Sequence, residues 1–161
     1  MEATAQTDNP LPVERVGTYR LIKPLGEGAM GAVFQAEALA GSPVPVGTMV
    51  AVKILHPYLT GRPDVVGRFS LEAIVMREMS KINGHPNIVR CVAYGTEPSS
   101  QGQLHYIVMD YLEGASLADR LKRNTPDRKS ALKILRSLCV AMVYAHDQGV
   151  IHRDLKPENV F

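Results

Sequence analysis

The run His152-Arg153-Asp154-Leu155-Lys156-Pro157-Glu158-Asn159 concentrates charged and polar side chains in eight consecutive residues. It comes directly after a segment with helical apolar spacing that closes at Gly149. A polar cluster this dense, placed at the end of a helix, predicts a loop that carries chemistry. Two further motifs lie upstream of it.

The first upstream motif is the glycine-rich stretch Gly26-Glu27-Gly28-Ala29-Met30-Gly31-Ala32-Val33. Glycines let a turn bring backbone amides close to phosphate oxygens, so this turn is a candidate phosphate site. The residues after it have the pattern of a strand, and no Gly-Lys-Ser/Thr ending is present, which argues against a dinucleotide-binding or Walker loop. A hairpin turn that is merely rich in glycine remains the alternative.

The second upstream motif is Lys53, which stands between apolar neighbours in a predicted strand. A lysine there costs desolvation unless an anion meets it, so a phosphate or a carboxylate partner is expected. Glu72, in the following predicted helix, is the candidate carboxylate. Glu78 on another face of that helix is a rival, and a lysine at a strand edge in water is the alternative.

These three motifs, in this order, resemble the signature set of eukaryotic-type serine/threonine protein kinases. The run from His152 to Asn159 is similar to the catalytic loop of that family, and the resemblance extends from about Tyr19 to Phe161. A lysine two positions after the aspartate, here Lys156 after Asp154, resembles the pattern of the serine/threonine branch of the family. The resemblance implies transfer of the γ-phosphate of ATP to Ser/Thr hydroxyls of protein substrates, with ATP and Mg²⁺ as cofactors.

For the nucleotide, the resemblance implies contacts from both upstream motifs. The phosphates lie under the turn formed by Gly26, Glu27, Gly28 and Gly31. Lys53, held by Glu72, contacts the α- and β-phosphates.

For the adenine, the resemblance implies a pocket next to the connector between two lobes, Ile107 to Gly114. Val33 and Ala51 pack on the ring, and Met109 walls the pocket. The backbone of Asp110 and Leu112 pairs with the adenine edge, and a buried strand remains the alternative for this segment.

In the catalytic loop, the resemblance implies that Asp154 accepts the proton of the substrate hydroxyl. Lys156 contacts the γ-phosphate, and Asn159 is one magnesium ligand. Arg153 resembles the arginine of kinases that are switched on by phosphorylation of an activation loop.

The implied fold is α+β and protein-kinase-like, with a five-stranded antiparallel N-terminal lobe that holds one helix, followed by the first helices of a helical C-terminal lobe. We assign residues 1–17 to a disordered leader, 18–112 to the N-terminal lobe and 113–161 to the start of the C-terminal lobe.

Alternation and turn residues predict the strands, and apolar spacing predicts the helices. The predicted strands are Tyr19–Leu25, Ala32–Ala38, Met49–Leu55, Ile88–Tyr94 and His105–Leu112. The predicted helices are one that Asp64 caps and Gly84 ends, one over Ser116–Arg123, and one that Thr125 and Pro126 open and Gly149 closes. Loops are predicted at 41–47 and 96–102, and the last helix is expected to expose an apolar face that includes Leu135, Leu138 and Met142.

Composition excludes several classes of protein. Hydrophobic residues make up 45% and charged residues 21% of the 161 residues, which is typical of a globular domain. A net charge of +2 does not indicate a nucleic-acid or membrane-surface partner, and no membrane segment is predicted. Cys91 and Cys139 are expected to be buried free thiols, which fits a cytoplasmic setting. Four histidines are expected to be structural or exposed: His56, His85, His105 and His146.

The sequence departs from the kinase pattern in two respects. His85 follows Glu72 by 85 − 72 = 13 residues, so the helix that holds Glu72 is about one turn longer than the resemblance implies. The larger departure is that the sequence contains no Asp-Phe-Gly segment, which in the family supplies the principal magnesium-binding aspartate. We therefore expect the front part of a kinase catalytic domain, inactive on its own. The alternative is a non-catalytic module that binds nucleotide or pairs with another protein.

Overall fold

An antiparallel sheet is the main element of the computed structural model, which describes residues 14–80, 84–100 and 102–161. In that part of the chain the sheet has six strands in the order β1-β2-β3-β4-β6-β5. They are β1 (Arg15–Val16), β2 (Tyr19–Glu27), β3 (Gly31–Ala38), β4 (Met49–Leu55), β5 (Cys91–Ser99) and β6 (Gly102–Asp110).

Helices accompany and follow the sheet. Helix α1 (Pro63–Met79) lies between β4 and β5 in the chain, and α2 (Leu117–Arg123) and α3 (Arg128–Asp147) come after β6. Short 3-10 turns occupy Pro57–Leu59 and Pro157–Asn159. The α+β arrangement expected from the sequence is therefore confirmed.

The two faces of the sheet bury two separate cores because successive side chains of a strand point to opposite faces. In β4, Val50, Val52 and Ile54 enter one core, together with Phe34 and other residues of β1, β2, β3 and β6. Leu55 enters the other core, which α1 covers. We call the second one the helix-side core; its buried members are Leu55, Leu59, Val65, Phe69, Ala73, Cys91 and Ile107.

Helix α1 contacts the helix-side core through the apolar face that its spacing predicts. Val65, Phe69, Ala73 and Met79 are all buried. Its start differs from the prediction, because Arg62 occupies the cap position, Pro63 opens the first turn, and Asp64 lies inside that turn. The Asp64 carboxylate pairs with Arg62 and Arg68 instead, near a helix N-terminus where negative charge is favourable.

The predicted disordered leader was too long. Arg15 and Val16 form a strand that pairs with β2, and Val16 is fully buried. A two-residue strand carries too little alternation to be read from sequence, and pairing with β2 supplies what local propensity lacks. The rest of the predicted leader, residues 1–13, lies outside the described residues.

The hairpin of β5 and β6 extends through the stretch that was predicted to be a loop. Ser99 pairs with Gly102, and the ladder runs from there back to Cys91 and Met109. Strand β5 begins three residues later than the apolar run that starts at Ile88. Cross-strand pairing with β6 therefore overrides the low strand propensity of the Pro98-Ser99 segment.

The last helix begins and packs differently from the prediction. Asp127, rather than Thr125 or Pro126, caps α3 by accepting a hydrogen bond from the amide of Ser130 at 2.8 Å. The buried residues of α3 are Ala141 and Ala145. Leu135 is exposed as expected, whereas Leu138 and Met142 are partly buried. Leu132, Val140 and Val143, which lie outside the predicted face, are exposed as well.

The two cysteines do not share one environment. Cys91 is buried beneath α1, whereas Cys139 is exposed on α3, contrary to prediction. Burial raises the pKa of the Cys91 thiol. The sequence neighbours of Cys139 are apolar, but no other element packs on its face of α3 in the described part of the chain, so the residue stays exposed.

Candidate active site

One face of the sheet gathers the residues predicted to surround a nucleotide. Val33 of β3 pairs with Lys53 of β4, and Ala51 of β4 pairs with Met109 of β6. Directly paired residues of antiparallel strands point to the same face, and Ala51 and Lys53 are two apart in one strand. All four side chains therefore lie on the face of the sheet that α1 covers.

Lys53 is fixed by the carboxylate of Glu72 on α1. Its Nζ donates to Oε1 at 2.6 Å and to Oε2 at 2.8 Å. The structure thus places Glu72, and not the rival Glu78, against the lysine. The side chains are 21% and 37% exposed, so the pair contributes only about 0–1 kcal/mol to folding. Its value lies in holding an ammonium group in one position.

Phe69 supports the same ammonium group from the helix side. The Nζ atom of Lys53 lies 5.7 Å from the centroid of the Phe69 ring, within the range of a cation–π contact. Phe69 is also buried in the helix-side core. The sequence does not indicate this contact, since the distance between Phe69 and Lys53 depends on how α1 docks.

The glycine-rich stretch forms a tight turn between β2 and β3. The amide of Gly28 donates to the carbonyl of Gly31 at 2.9 Å and closes the turn. A Cβ atom added at Gly26 meets nothing within 4 Å, and one at Gly28 meets only the Gly31 carbonyl at 3.9 Å. At Gly31 it falls 2.1 Å from the carbonyl oxygen of Ile54. Gly31 is thus required by close strand packing, while Gly26 and Gly28 leave one side of the turn open.

We expect Gly31→Ala to lower the free energy of unfolding by about 1–3 kcal/mol, because the clash is with backbone that cannot move aside without disturbing β4. Gly26→Ala is the matched control, and its effect is expected to stay within about 1 kcal/mol because its Cβ has open space. Urea unfolding of both variants measures the difference. Equal midpoints would contradict the assignment of Gly31 to packing.

The side chain of Glu27 is not a candidate phosphate ligand. The side chain is 70% exposed, and its Oε1 lies 3.6 Å from Nε2 of His56. A carboxylate repels phosphate, so only the backbone of Glu27 is a candidate contact. His56, which sequence reasoning left without a role, also lies 2.9 Å through Nε2 from the carbonyl of Gly28.

The first half of the predicted connector, Ile107 to Asp110, is the end of β6, and the strand stops before the predicted end at Leu112. The amide of Asp110 donates to the Arg90 carbonyl at 3.0 Å, and its carboxylate receives a bidentate hydrogen bond from the Arg90 guanidinium. The side chain and amide of Asp110 are therefore engaged, which leaves its carbonyl as the candidate contact for an adenine. Leu112 lies beyond the strand and is exposed.

The predicted catalytic loop brings three of its polar residues together. Lys156 Nζ lies 2.9 Å from Oδ2 of Asp154, and Asn159 Nδ2 donates to the Asp154 carbonyl at 2.8 Å and to Oδ2 at 3.2 Å. The hydrogen bond from Lys156 and that from Asn159 lower the pKa of Asp154. Asp154 is therefore a carboxylate at neutral pH, the form that can accept a proton.

Backbone geometry also marks this loop. Arg153 has φ 61°, in the left-handed region that costs a non-glycine residue about 1–2 kcal/mol. Such strain clusters at functional sites. The loop is tied to α2 by a hydrogen bond from the Leu117 amide to the Val160 carbonyl at 2.7 Å.

The two groups of residues are held independently. Within residues 14–80, 84–100 and 102–161, no hydrogen bond or ion pair joins the Lys53–Glu72 pair to Asp154, Lys156 or Asn159. A ligand that spans both groups would therefore be the link between them.

The residues present fit Mg²⁺ only in part. The side-chain nitrogen of Asn159 makes both hydrogen bonds to Asp154, and the side-chain oxygen takes part in neither. A magnesium ion that is bound mostly by phosphates and water can use such an oxygen as a ligand. Among the described residues, no group of three or more His, Cys, Asp or Glu could hold a metal ion by itself. Asn159 is thus a candidate ligand that would need phosphate and water ligands to complete a magnesium site.

Comparison with known proteins gives one consistent family. Residues 19–161 match the family described as protein kinase domain. The chain is 39% identical over 157 residues to the serine/threonine-protein kinase Pkn1 of Myxococcus xanthus, and 36% identical over 143 residues to the serine/threonine-protein kinase PknB of Mycobacterium leprae. These matches cover 97% and 88% of this chain.

The fold is similar to that of a solved kinase domain, that of PknI from Mycobacterium tuberculosis, with a TM-score of 0.71 and 25% identity over 93% of this chain. The protein-kinase-like fold expected from the sequence is therefore confirmed. The chain spans 57% of that solved chain, and about a fifth of the length of the two curated relatives. Within the described residues, no helix is long and apolar enough to cross a membrane.

Proposed function

Since the chain belongs to the protein kinase domain family, we propose that it binds Mg-ATP on the sheet face that carries Lys53 and takes part in transfer of the γ-phosphate to Ser/Thr hydroxyls of protein substrates. The observation that carries the proposal is the bidentate Lys53–Glu72 pair, at 2.6 and 2.8 Å, on the face that Val33, Ala51 and Met109 share.

Binding follows from the groups on that face. The adenine packs against Val33, Ala51 and Met109, which are apolar and at least partly buried. The ammonium of Lys53 donates to the α- and β-phosphates, and Glu72 keeps it aimed without neutralising all of its donors, because an ammonium has three.

The open turn at Gly26 and Gly28 covers the phosphates. The Gly28 amide already donates to the Gly31 carbonyl, so the other backbone amides of the turn are the candidate donors to phosphate. No Cβ atom stands between those glycines and a ligand. Close approach of backbone to phosphate is the usual benefit of glycine at such turns.

The catalytic loop supplies the proton acceptor and a positive charge. Asp154 is ionised and takes the proton of the substrate hydroxyl as that oxygen attacks the γ-phosphorus. The bond from this phosphorus to the β–γ bridging oxygen breaks, and ADP leaves. Lys156, 2.9 Å from Asp154, donates to an oxygen of the transferred group and offsets its charge. Asn159 orients Asp154 through its side-chain nitrogen and offers its oxygen to magnesium. When bound, magnesium screens the phosphate charge.

The two free cysteines support a reducing compartment such as the cytoplasm, where ATP is plentiful. The 161 residues hold no Asp-Phe-Gly segment. Nucleotide binding is therefore the property of this chain to measure first, and transfer is to be measured on a protein that contains these residues together with an Asp-Phe-Gly segment.

The binding proposal is tested by thermal unfolding of the chain with and without millimolar Mg-ATP, because a ligand that binds only the native state raises its stability. We expect a rise of the midpoint for the wild type. Lys53→Met is expected to weaken binding by about ten- to a hundred-fold, since hydrogen bonds between charged groups contribute about 1.5–3 kcal/mol.

The matched control is Lys23→Met, which removes an exposed lysine of β2 and is expected to keep the full rise. Midpoints without nucleotide report whether either variant has lost stability. An unchanged Mg-ATP effect in Lys53→Met would contradict the proposed site, and no effect in the wild type would contradict nucleotide binding by this chain.

A further inference from the structure

His56 contacts the glycine turn at two points. Its amide donates to the Met30 carbonyl at 3.0 Å, and Nε2 of its ring lies 2.9 Å from the Gly28 carbonyl. The amide of Gly28 in turn donates to the carbonyl of Gly31. The first contact is made by backbone and is open to any residue except proline, but the second depends on the side chain.

The second contact defines where the ring carries a proton. A carbonyl oxygen only accepts, so Nε2 of His56 must be the protonated nitrogen. The carboxylate of Glu27 lies 3.6 Å from the same nitrogen, beyond a direct hydrogen bond. The imidazole therefore donates to Gly28, with Glu27 as a nearby negative charge.

The ring is held in place before any nucleotide arrives. It stacks on Tyr58, with centroids 5.2 Å apart and planes 15° from parallel, and the His56 side chain is only 14% exposed. The 3-10 turn Pro57–Leu59 begins directly after it, and the Leu59 amide donates to the His56 carbonyl at 2.9 Å. Leu59 is buried in the helix-side core, so the segment that carries the imidazole is anchored to the body of the sheet.

We propose that His56 is a positioning residue that fixes the glycine turn, through Nε2–H donated to Gly28, in the conformation that receives the ATP phosphates. The proposal rests on the proposed binding of Mg-ATP. A turn of glycines loses much conformational freedom when it orders over a ligand. A hydrogen bond that orders it beforehand reduces that loss and strengthens binding.

The test separates the donor of His56 from its ring. His56→Phe keeps a flat ring that can stack on Tyr58 but has no N–H, whereas His56→Gln keeps an N–H near the position of Nε2. Calorimetry of Mg-ATP binding to the 161-residue chain is expected to show about two- to tenfold weaker affinity for His56→Phe, the range for loss of one neutral hydrogen bond. His56→Gln is expected to restore most of the affinity. His146→Phe, the same change on the exposed end of α3, is the control and leaves the affinity unchanged.

Wild-type affinity in His56→Phe, or equal weakening in both variants, would overturn the role of the donor. A second measurement needs neither variants nor nucleotide: nitrogen NMR of the wild-type imidazole is expected to show the proton on Nε2, and a neutral ring with its proton on Nδ1 would overturn the proposal. Failure of the wild type to bind Mg-ATP would instead refute the function on which the proposal rests, and the NMR result distinguishes the two cases.

Discussion

Replacing Asp154 by asparagine is expected to lower the rate of phosphoryl transfer by roughly 10²–10⁴-fold, the usual contribution of a positioned general base. The carboxylate is lost, while the shape of the side chain and its neighbours Lys156 and Asn159 stay. Asp154 makes no contact with the Lys53–Glu72 pair in the described part of the chain, so the affinity for Mg-ATP is expected to be unchanged. A loss confined to the rate assigns Asp154 to the chemical step.

The rate is measured as transfer of labelled γ-phosphate to a protein rich in serine and threonine, by a protein that contains these residues together with an Asp-Phe-Gly segment. Asp147→Asn is the matched control, since Asp147 is an exposed aspartate at the end of α3 and undergoes the same chemical change. A variant with Asp154→Asn that transfers phosphate at the wild-type rate would remove Asp154 from the mechanism. A parallel loss in both variants would point to the fold and not to the site.

Phe69→Ala is expected to lower the free energy of unfolding by about 3–5 kcal/mol, because it removes a large buried side chain and leaves a cavity. Phe69 is 2% exposed and lies in the helix-side core, through which α1 contacts the sheet. The same change removes the ring beneath Lys53 and loosens the helix that carries Glu72. Nucleotide affinity is therefore expected to fall together with stability.

Denaturant unfolding measures the stability, and two variants provide the comparison. Leu71→Ala removes a side chain on the same helix that is 59% exposed, and its effect is expected to stay within about 0.5 kcal/mol. Phe69→Leu keeps most of the buried volume and is expected to lie between the two. Similar losses for Phe69→Ala and Leu71→Ala would show that α1 does not dock as described.

The fold could be predicted where local pattern and tertiary pairing agree. Met49–Leu55 has the same bounds in prediction and structure, because its alternating side chains serve two buried faces and turn residues limit both ends. Arg15–Val16 and the extended end of β5 were missed. Arg15–Val16 is too short for alternation to show, and the Pro98-Ser99 segment has weak strand propensity. In both places, pairing with the neighbouring strand across a tight turn forms the strand.

Some residues of the candidate site could likewise be predicted from the sequence, and others could not. The catalytic loop is contiguous, so its residues could be singled out from sequence, and Lys53 is marked by its apolar neighbours. The choice between Glu72 and Glu78 depended on which face of α1 meets the sheet, a long-range property. His56 carries no signal in the sequence, because its position beside Gly28 arises only when β4 pairs with β3.

By itself, the sequence determined the strands and helices with strong periodicity, the family resemblance and the polar loop from His152 to Asn159. These features depend on the spacing and composition of residues within short stretches, and both can be read directly from the sequence. Only the tertiary structure decided that Gly31 is needed for close packing, that Glu72 holds Lys53, and that His56 contacts the glycine turn. The physical reason is that each depends on distances between segments far apart in the chain, and packing of the sheet and α1 sets those distances.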